Sequence, residues 1–368
     1  MTALLFLFSL ENHLVGNAGF WWTQDNLAVL SGEIGDRLIF SGMTELDVRV
    51  AYSDITRGNL DGFAHDIFLS RASVALGPEW MRLWMGRVSV AYGDGLFLND
   101  IGLGSDGAIG DIQVCDLGLH PFYFIRSDSL AEGPPDRSVG GLYANYGPEW
   151  LQVQAYAGSE TQGFPDRWAG TRFYLDRTGF RVKAELVANR PGNACMAEFV
   201  FWGLGVAEMG GGFFHFSEAW RAPFYYTPYL DDYYNGWSGY GDAMTWALMT
   251  DTLLPQYVSS LPGGPYGIYW PDIHSVEIVD LSLLFGVTEN LSGRLDGFAF
   301  FYLPARDNIG NEVSLNLFYD LDGFRFGLGG GYLAPGEFLR DLGRNEPYWT
   351  LRLWGFREFE IAPVAATP

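Results

Sequence analysis

Hydrophobic and polar residues alternate along five separate stretches of this chain. Glu45, Asp47 and Arg49 interleave with Leu46, Val48 and Val50. Gln152, Gln154 and Tyr156 interleave with Leu151, Val153 and Ala155, and Arg181, Lys183 and Glu185 with Val182, Ala184 and Leu186. Near the C-terminus, Glu312, Ser314 and Asn316 alternate with Val313, Leu315 and Leu317, and Arg325, Gly327 and Gly329 with Phe324, Phe326 and Leu328. A period of two puts each set on its own face of a β-strand. In a soluble sandwich the apolar face meets another sheet. In a membrane barrel it meets lipid, and the polar face lines a watery lumen.

The connections sharpen the choice, because short turns alternate with longer loops. The short ones are Gly77-Pro78-Glu79, Leu119-His120-Pro121, Gly147-Pro148-Glu149, Arg177-Thr178-Gly179, residues 288–292 and Leu321-Asp322-Gly323. The longer ones fall at 53–64, 92–108, 129–137, 159–167, 190–196, 218–273, 305–310 and 334–346. Outer-membrane barrels carry this asymmetry, with tight periplasmic turns and long external loops.

Strands are predicted near 37–52, 65–76, 80–91, 109–117, 121–128, 138–146, 150–158, 168–176, 180–189, 197–206, 209–217, 274–287, 293–304, 311–320, 323–333 and 347–360. The fold class is therefore all-β: a transmembrane antiparallel up-and-down β-barrel of about 16 strands, within a range of about 14–18. An even number returns both termini to the periplasmic side. Residues 20–34 could add two strands. Arg82 and Arg87 fall on opposite faces of a regular strand, which calls for a β-bulge or a different strand boundary. Segment 197–217 has almost no alternation, with Phe199, Phe201, Phe213, Phe214 and Phe216 among glycines.

Residues 1–36 are read as an N-terminal segment, a signal remnant and periplasmic lead-in. Its start is apolar, but no Lys or Arg precedes Arg37, and Ala18-Gly19 is a poor small-residue cleavage site. The barrel is assigned to 37–362, with the long external loop at 218–273, and a tail to 363–368.

Composition supports this reading by exclusion. The chain is 48% hydrophobic and 17% aromatic, yet its longest apolar runs fall far short of the roughly 18 residues a membrane helix needs. A net charge of −22 is wrong for nucleic acid, whose phosphates need a basic face. The aromatic content excludes an acidic disordered chain. Two cysteines, Cys115 and Cys195, cannot make a disulfide scaffold or a multi-cysteine zinc site.

Residues 84–100 add a resemblance. Gly86-Arg87-Val88 leads into Tyr92-Gly93-Asp94. Further on come Gly141-Leu142-Tyr143, then Ala169-Gly170-Thr171-Arg172, the Arg181–Glu185 strand, and a long loop with Trp237-Ser238-Gly239-Tyr240-Gly241-Asp242. In that order these features resemble the alginate-export family of outer-membrane porins, loosely over about residues 80–360. The resemblance implies a barrel of 18 or so strands that passes anionic polysaccharide or small solutes. Two features depart from it. Val88 stands where the family usually has Gln, and the chain ends without a terminal aromatic.

Lumen chemistry is read from the polar faces. Of the 22 basic residues, Lys183 is the only lysine. Arginine presents a planar fork to carboxylates and phosphates. The candidate pore-lining residues are Arg49, Arg71, Arg87, Arg172, Arg181, Lys183, Glu185, Arg294, Glu312, Arg325 and Arg352. Arginine rings favour anions, but acids on the same faces can pair with them across strands.

Acidic charge gathers in the loops. Asp231, Asp232 and Asp242 could offer oxygens to Ca²⁺, although no EF-hand spacing is present, and no other cofactor is indicated. The loop 218–273 is rich in aromatics, including Tyr225, Tyr226, Tyr233, Tyr234, Trp237, Tyr240 and Trp270. A loop so long and aromatic is expected to fold into the pore as a constriction, where its rings could stack on sugars.

The expected protein is a bacterial outer-membrane porin, not an enzyme, for passive diffusion of small polar or anionic solutes or polysaccharide. Its partners are outer-membrane lipid and lipopolysaccharide, and a homo-oligomer or an envelope protein is compatible. Two alternatives stay open. One is a lipid hydrolase, since His215 and Ser217 share a strand face beside Glu218. The other is a closed barrel that anchors or sheathes a partner.

Overall fold

The structure is a computed structural model. It describes residues 10–23, 27–40, 43–57, 64–88, 91–92, 98–99, 105–126, 137–161, 167–190, 192–202, 207–219, 275–341, 343 and 345–361. Among the described residues, eighteen antiparallel strands form one sheet. In chain order they are β1 (Leu10–Thr23), β2 (Leu27–Phe40), β3 (Thr44–Arg57), β4 (Ala64–Leu76), β5 (Met81–Val88), β6 (Ser105–Val114), β7 (Leu117–Arg126), β8 (Arg137–Tyr146) and β9 (Leu151–Glu160). The second half runs β10 (Arg167–Arg177), β11 (Phe180–Asn189), β12 (Asn193–Trp202), β13 (Ala207–Phe216), β14 (Val276–Gly286), β15 (Leu291–Tyr302), β16 (Asp307–Leu321), β17 (Phe324–Pro335) and β18 (Tyr348–Ile361).

Each strand pairs with its neighbours in sequence, and β1 also pairs with β18, from Leu14 opposite Ile361 to Thr23 opposite Arg352. The sheet thus closes on itself and leaves no long edge to be satisfied in lipid. Among the described residues no helix is long and apolar enough to cross a membrane.

The expected architecture is the observed one, and the count falls at the top of the expected range. The two added strands lie in the segment read as a lead-in. Residues 37–52 are not one strand but the end of β2, which stops at Phe40, and most of β3, which starts at Thr44. The Ala18-Gly19 pair lies inside β1, paired on both sides, and so does not read as a cleavage site.

One turn is also displaced. Leu119-His120-Pro121 is not a turn but part of β7, and the chain reverses at Cys115 and Asp116, with Cys115 at φ 54°. Pro121 has no N–H to give its β6 neighbour, and the β6–β7 pairing is interrupted between Ile109–Phe122 and Ile112–Leu119. Other turns follow their sequence signals. Asp322 and Gly323 both have positive φ, as a two-residue Asp-Gly hairpin turn requires. Gly-Pro-Glu-Trp occurs twice, at 77–80 and 147–150. In both, the backbone N–H that follows, Met81 or Leu151, donates to the proline carbonyl.

The wall sorts its residues by face. Leu46, Val48, Leu281, Val313, Leu315 and Leu328 are exposed outward, while Glu45, Asp47, Asp296, Glu312, Ser314 and Asn316 are buried on the other side. A soluble protein shows the reverse. Apolar outside and polar inside is the arrangement of a barrel immersed in hydrocarbon.

Candidate functional site

The inner wall is the candidate site, and it is divided along its height. Toward the short turns it is polar. Toward the long loops it is apolar and aromatic, with Phe122, Phe124, Tyr143, Tyr156, Trp168, Phe214, Phe216, Phe298 and Phe300 all buried. Several of these rings stack along or across strands, such as Phe122 on Phe124 with centroids 5.6 Å apart and Tyr143 on Tyr156 at 6.2 Å. This division explains the featureless sequence at 197–217. At its C-terminal end both faces are apolar: Phe213 looks outward and Phe214 inward, the first exposed and the second fully buried.

Loop segments pack on the aromatic half. A short hairpin pairs Ala91–Tyr92 with Leu98–Asn99. It places Tyr92 in a stack on Tyr143, centroids 4.4 Å apart and planes 17° from parallel, beside Phe122 at 5.3 Å. A one-turn helix, Glu337–Asp341, buries Leu339 and sets Phe338 4.7 Å from Tyr302. The expected constriction residues Tyr225, Tyr226, Tyr233, Tyr234, Trp237, Tyr240 and Trp270 lie outside the described residues, as do Asp231, Asp232 and Asp242. Tyr92 and Phe338 were not expected to fold inward. The signal lay in apolar residues set among glycines and acids: Leu96, Phe97, Leu98, Ile101 and Leu103 in the first loop, and Phe338 and Leu339 in the second.

The polar half is organised as ion pairs. On β2–β5, Glu45 takes Arg37 at 2.6 Å and Arg82 at 3.5 Å. Asp47 takes Arg49 through two nitrogens, at 2.8 and 2.9 Å, and Arg71 at 3.0 Å. Both carboxylates are buried, so each needs these partners to offset lost hydration. Arg37 and Arg82 were not among the candidates, and they complete the cluster.

On the opposite arc, Arg172 stands across from Glu185 in the β10–β11 register, and Tyr156 donates its hydroxyl to Glu185. Arg181 holds Asp176 at 3.0 Å, and Tyr174 donates to the same carboxylate at 2.9 Å. Arg294, 6% exposed, donates Nε–H to both oxygens of Asp296, at 2.8 and 3.0 Å. Ser314 donates to Glu312 at 2.5 Å. Arg325 holds Asp320 at the exposed turn rim. Lys183 lines a cavity with Arg181 and Arg294.

Two candidates stand apart. Arg87 pairs with Ala72 and Asp106, on the face opposite Arg82, Trp84 and Val88, so alternation sets it away from the lumen. The β4–β5 register runs without a shift, so the expected bulge is not needed, because the two arginines serve different faces. Arg352 is described by its register alone, opposite Gly329 of β17 and Thr23 of β1.

The pair considered for hydrolysis is also placed. His215 Nδ1 lies 3.0 Å from Glu277 Oε1, on the outward side of β13, since its neighbours Phe214 and Phe216 face in. Ser217 accepts from the Asn193 N–H at 2.8 Å. His215 thus has an acid beside it, while the Ser217 hydroxyl is engaged elsewhere. Among the described residues no cluster of three or more His, Cys, Asp or Glu side chains could hold a metal ion.

No protein-family model and no curated protein matches the chain. Its fold is similar to solved bacterial outer-membrane proteins. The outer membrane protein opdK of Pseudomonas aeruginosa superposes with a TM-score of 0.61 at 12% identity, over 96% of this chain and 99% of that one. OccAB1 of Acinetobacter baumannii gives 0.60 at 10% identity, over 96% of each. Wzi of Escherichia coli, described as an outer-membrane carbohydrate-binding β-barrel involved in group 1 capsule assembly, gives 0.57 at 11%, over 94% of this chain and 84% of that one. The architecture is thus that of a bacterial outer-membrane β-barrel.

Proposed function

We propose that the chain is a passive outer-membrane channel for small polar solutes. The observation that carries this reading is the inner wall: a closed ring of strands whose turn-side half presents Glu45, Asp47, Arg49, Arg71, Arg294 and Asp296 inward. A wall that turns its polar side chains inward is what a solute path through the barrel requires.

The pairing also bears on selectivity. Arg49, Arg181, Arg294 and Arg325 each hold an aspartate. Their fields are cancelled locally, so discrimination between anions and cations is expected to be weak. Export of an anionic polysaccharide in the alginate-export manner draws on the motif order alone and would want a continuous basic path. The paired arginines favour small polar solutes over that finer reading.

Planar-bilayer recording tests the proposal. The purified protein should give discrete conductance steps with a reversal potential near zero in a salt gradient. Deleting residues 225–268 should raise the step size if that loop narrows the path, because loops lie outside the strand ladder. No steps from either the full chain or the deletion would favour the closed anchor.

A further inference from the structure

We propose that the inner wall carries a binding site for a neutral sugar, in a cavity of about 280 Å³ facing β11–β15. The site deepens the channel reading and rests on it, because a pocket in the wall acts on solutes that travel the lumen. The volume falls just below the range of about 300 to 1,000 Å³ usual for ligand pockets, which suits a small ligand.

Two buried charged groups have atoms without a partner on the protein. Asp280 is 2% exposed, lines the cavity, and neither of its carboxylate oxygens has a hydrogen-bond partner. Arg294 spends Nε on Asp296, but its buried Nη2 is unpartnered. A buried group left without a partner loses its hydration uncompensated, and a charged one loses the most. A ligand that donates to Asp280 and accepts from Arg294 recovers that loss.

The backbone is shaped to leave Asp280 free. Its register partner on β13 is Gly212, where an added Cβ would come within 2.4 Å of Asp280 Oδ1. At Gly210, an added Cβ would meet the Ser282 hydroxyl at 2.7 Å.

The lining narrows the chemistry. Arg181, Lys183 and Arg294 face Glu198, Glu208 and Asp280, so the formal charges cancel. A simple anion gains at Arg294 and loses at Asp280, and a simple cation does the reverse. A hydroxyl both donates and accepts, so neighbouring hydroxyls can serve both groups at once. The remaining wall is apolar, from Val200, Trp202 and Leu284. A pyranose ring has this same division, with a polar rim of hydroxyls and apolar C–H faces.

Isothermal titration calorimetry on the purified full chain, with D-glucose as probe, tests the site. Sodium acetate and L-alanine serve as comparators. Glucose should bind saturably, with the other two weaker by about tenfold or more, a difference of about 1.4 kcal/mol. Asp280→Asn and Gly212→Ala should each weaken glucose by a similar factor. Gly297→Ala, where a Cβ finds its nearest atom at 4.0 Å, should bind as the parent does. Heat-modifiable gel migration shows which variants are folded, and if Asp280→Asn does not fold then Gly212→Ala carries the test. Absence of glucose binding by the folded parent overturns the proposal, as does unchanged binding in the folded variants or tighter binding of acetate or alanine. Calorimetry needs no ion flow. Glucose binding without conductance would sink the channel reading alone, and conductance without glucose binding would sink the sugar site alone.

Discussion

Leu281 offers a measurement of where the barrel sits in its membrane. It is 63% exposed on the outer face, five residues from Val276 and five from Gly286 at the ends of β14. A strand rises about 3.4 Å per residue, and a tilt of about 40° leaves about 2.6 Å of depth per residue. Leu281 is then about 13 Å from either end, which is the middle of an apolar band about 25 Å tall. Arginine there should cost about 2–4 kcal/mol, a factor of roughly 30 to 1,000 in the folding equilibrium. Leu283→Arg, about 5 Å nearer the turns, should cost less. Val287→Arg, just past the strand, should cost about 0–1 kcal/mol. Guanidinium unfolding in phospholipid vesicles, followed by tryptophan fluorescence, gives the three values. Equal costs at Leu281 and Val287 would refute the depth assignment and the lipid face with it.

Four further outcomes are expected. Ala18→Cys with Arg357→Cys, opposite one another in the β1–β18 register, should form a disulfide in a background lacking Cys115 and Cys195, and a folded protein that stays reduced under oxidation would contradict closure. Cysteine placed at Glu149 should resist an impermeant thiol reagent on intact cells, because that turn lies with the short periplasmic set; efficient labelling would reverse the orientation. Asp47→Asn should destabilise by about 2–4 kcal/mol at an unchanged denaturant m-value, since it strips the shared partner from Arg49 and Arg71, and an unmoved midpoint would show the cluster to be idle. Tyr92→Ala should cost about 3 kcal/mol through the lost stack on Tyr143 and Phe122 and should raise conductance by releasing the hairpin; a stable variant with the parent's conductance would argue against a Tyr92 constriction.

What could be read from the sequence followed the contrast between the two faces of each strand. Where one face is charged and the other aliphatic, as in Arg181–Leu186 or Glu312–Leu317, the period of two is visible and the strands fall where expected. Where the inner face turns aromatic, as at Phe214 and Phe216, the contrast vanishes and only context remains. Residues 10–40 were hidden differently. Trp21 and Trp22 are adjacent, Asn12 falls among the apolar positions, and the start of the chain has the look of a signal core. The Cys115-Asp116 turn had no Gly, Pro or Asn to mark it, while Pro121 marked a turn that does not exist. Ion pairing was legible in kind but not in detail. Alternation placed Arg49 and Asp47 on one face, but it could not show that Arg37 and Arg82 reach Glu45 from β2 and β5, because cross-strand register is set by turn geometry.

The division of the inner wall bears directly on how such a barrel discriminates. An eighteen-stranded ring is too wide for its own inward side chains to fill, so an undecorated wall would leave an open aqueous channel. Two connecting segments narrow it: the Tyr92 hairpin stacks on Tyr143, and the helix Glu337–Asp341 sets Phe338 against Tyr302. The aromatic half gives those segments something to pack on, as a core does. The polar half does the opposite, holding its carboxylates in place with arginines so that they neither attract nor repel strongly at a distance. The formal charge of −22 is therefore a poor guide to what passes. On the proposed channel reading, a path whose charges are neutralised in pairs would select by shape and by hydrogen bonds at close range. Buried groups left without partners, such as Asp280 and Arg294 Nη2, are where that selection has the most free energy to draw on.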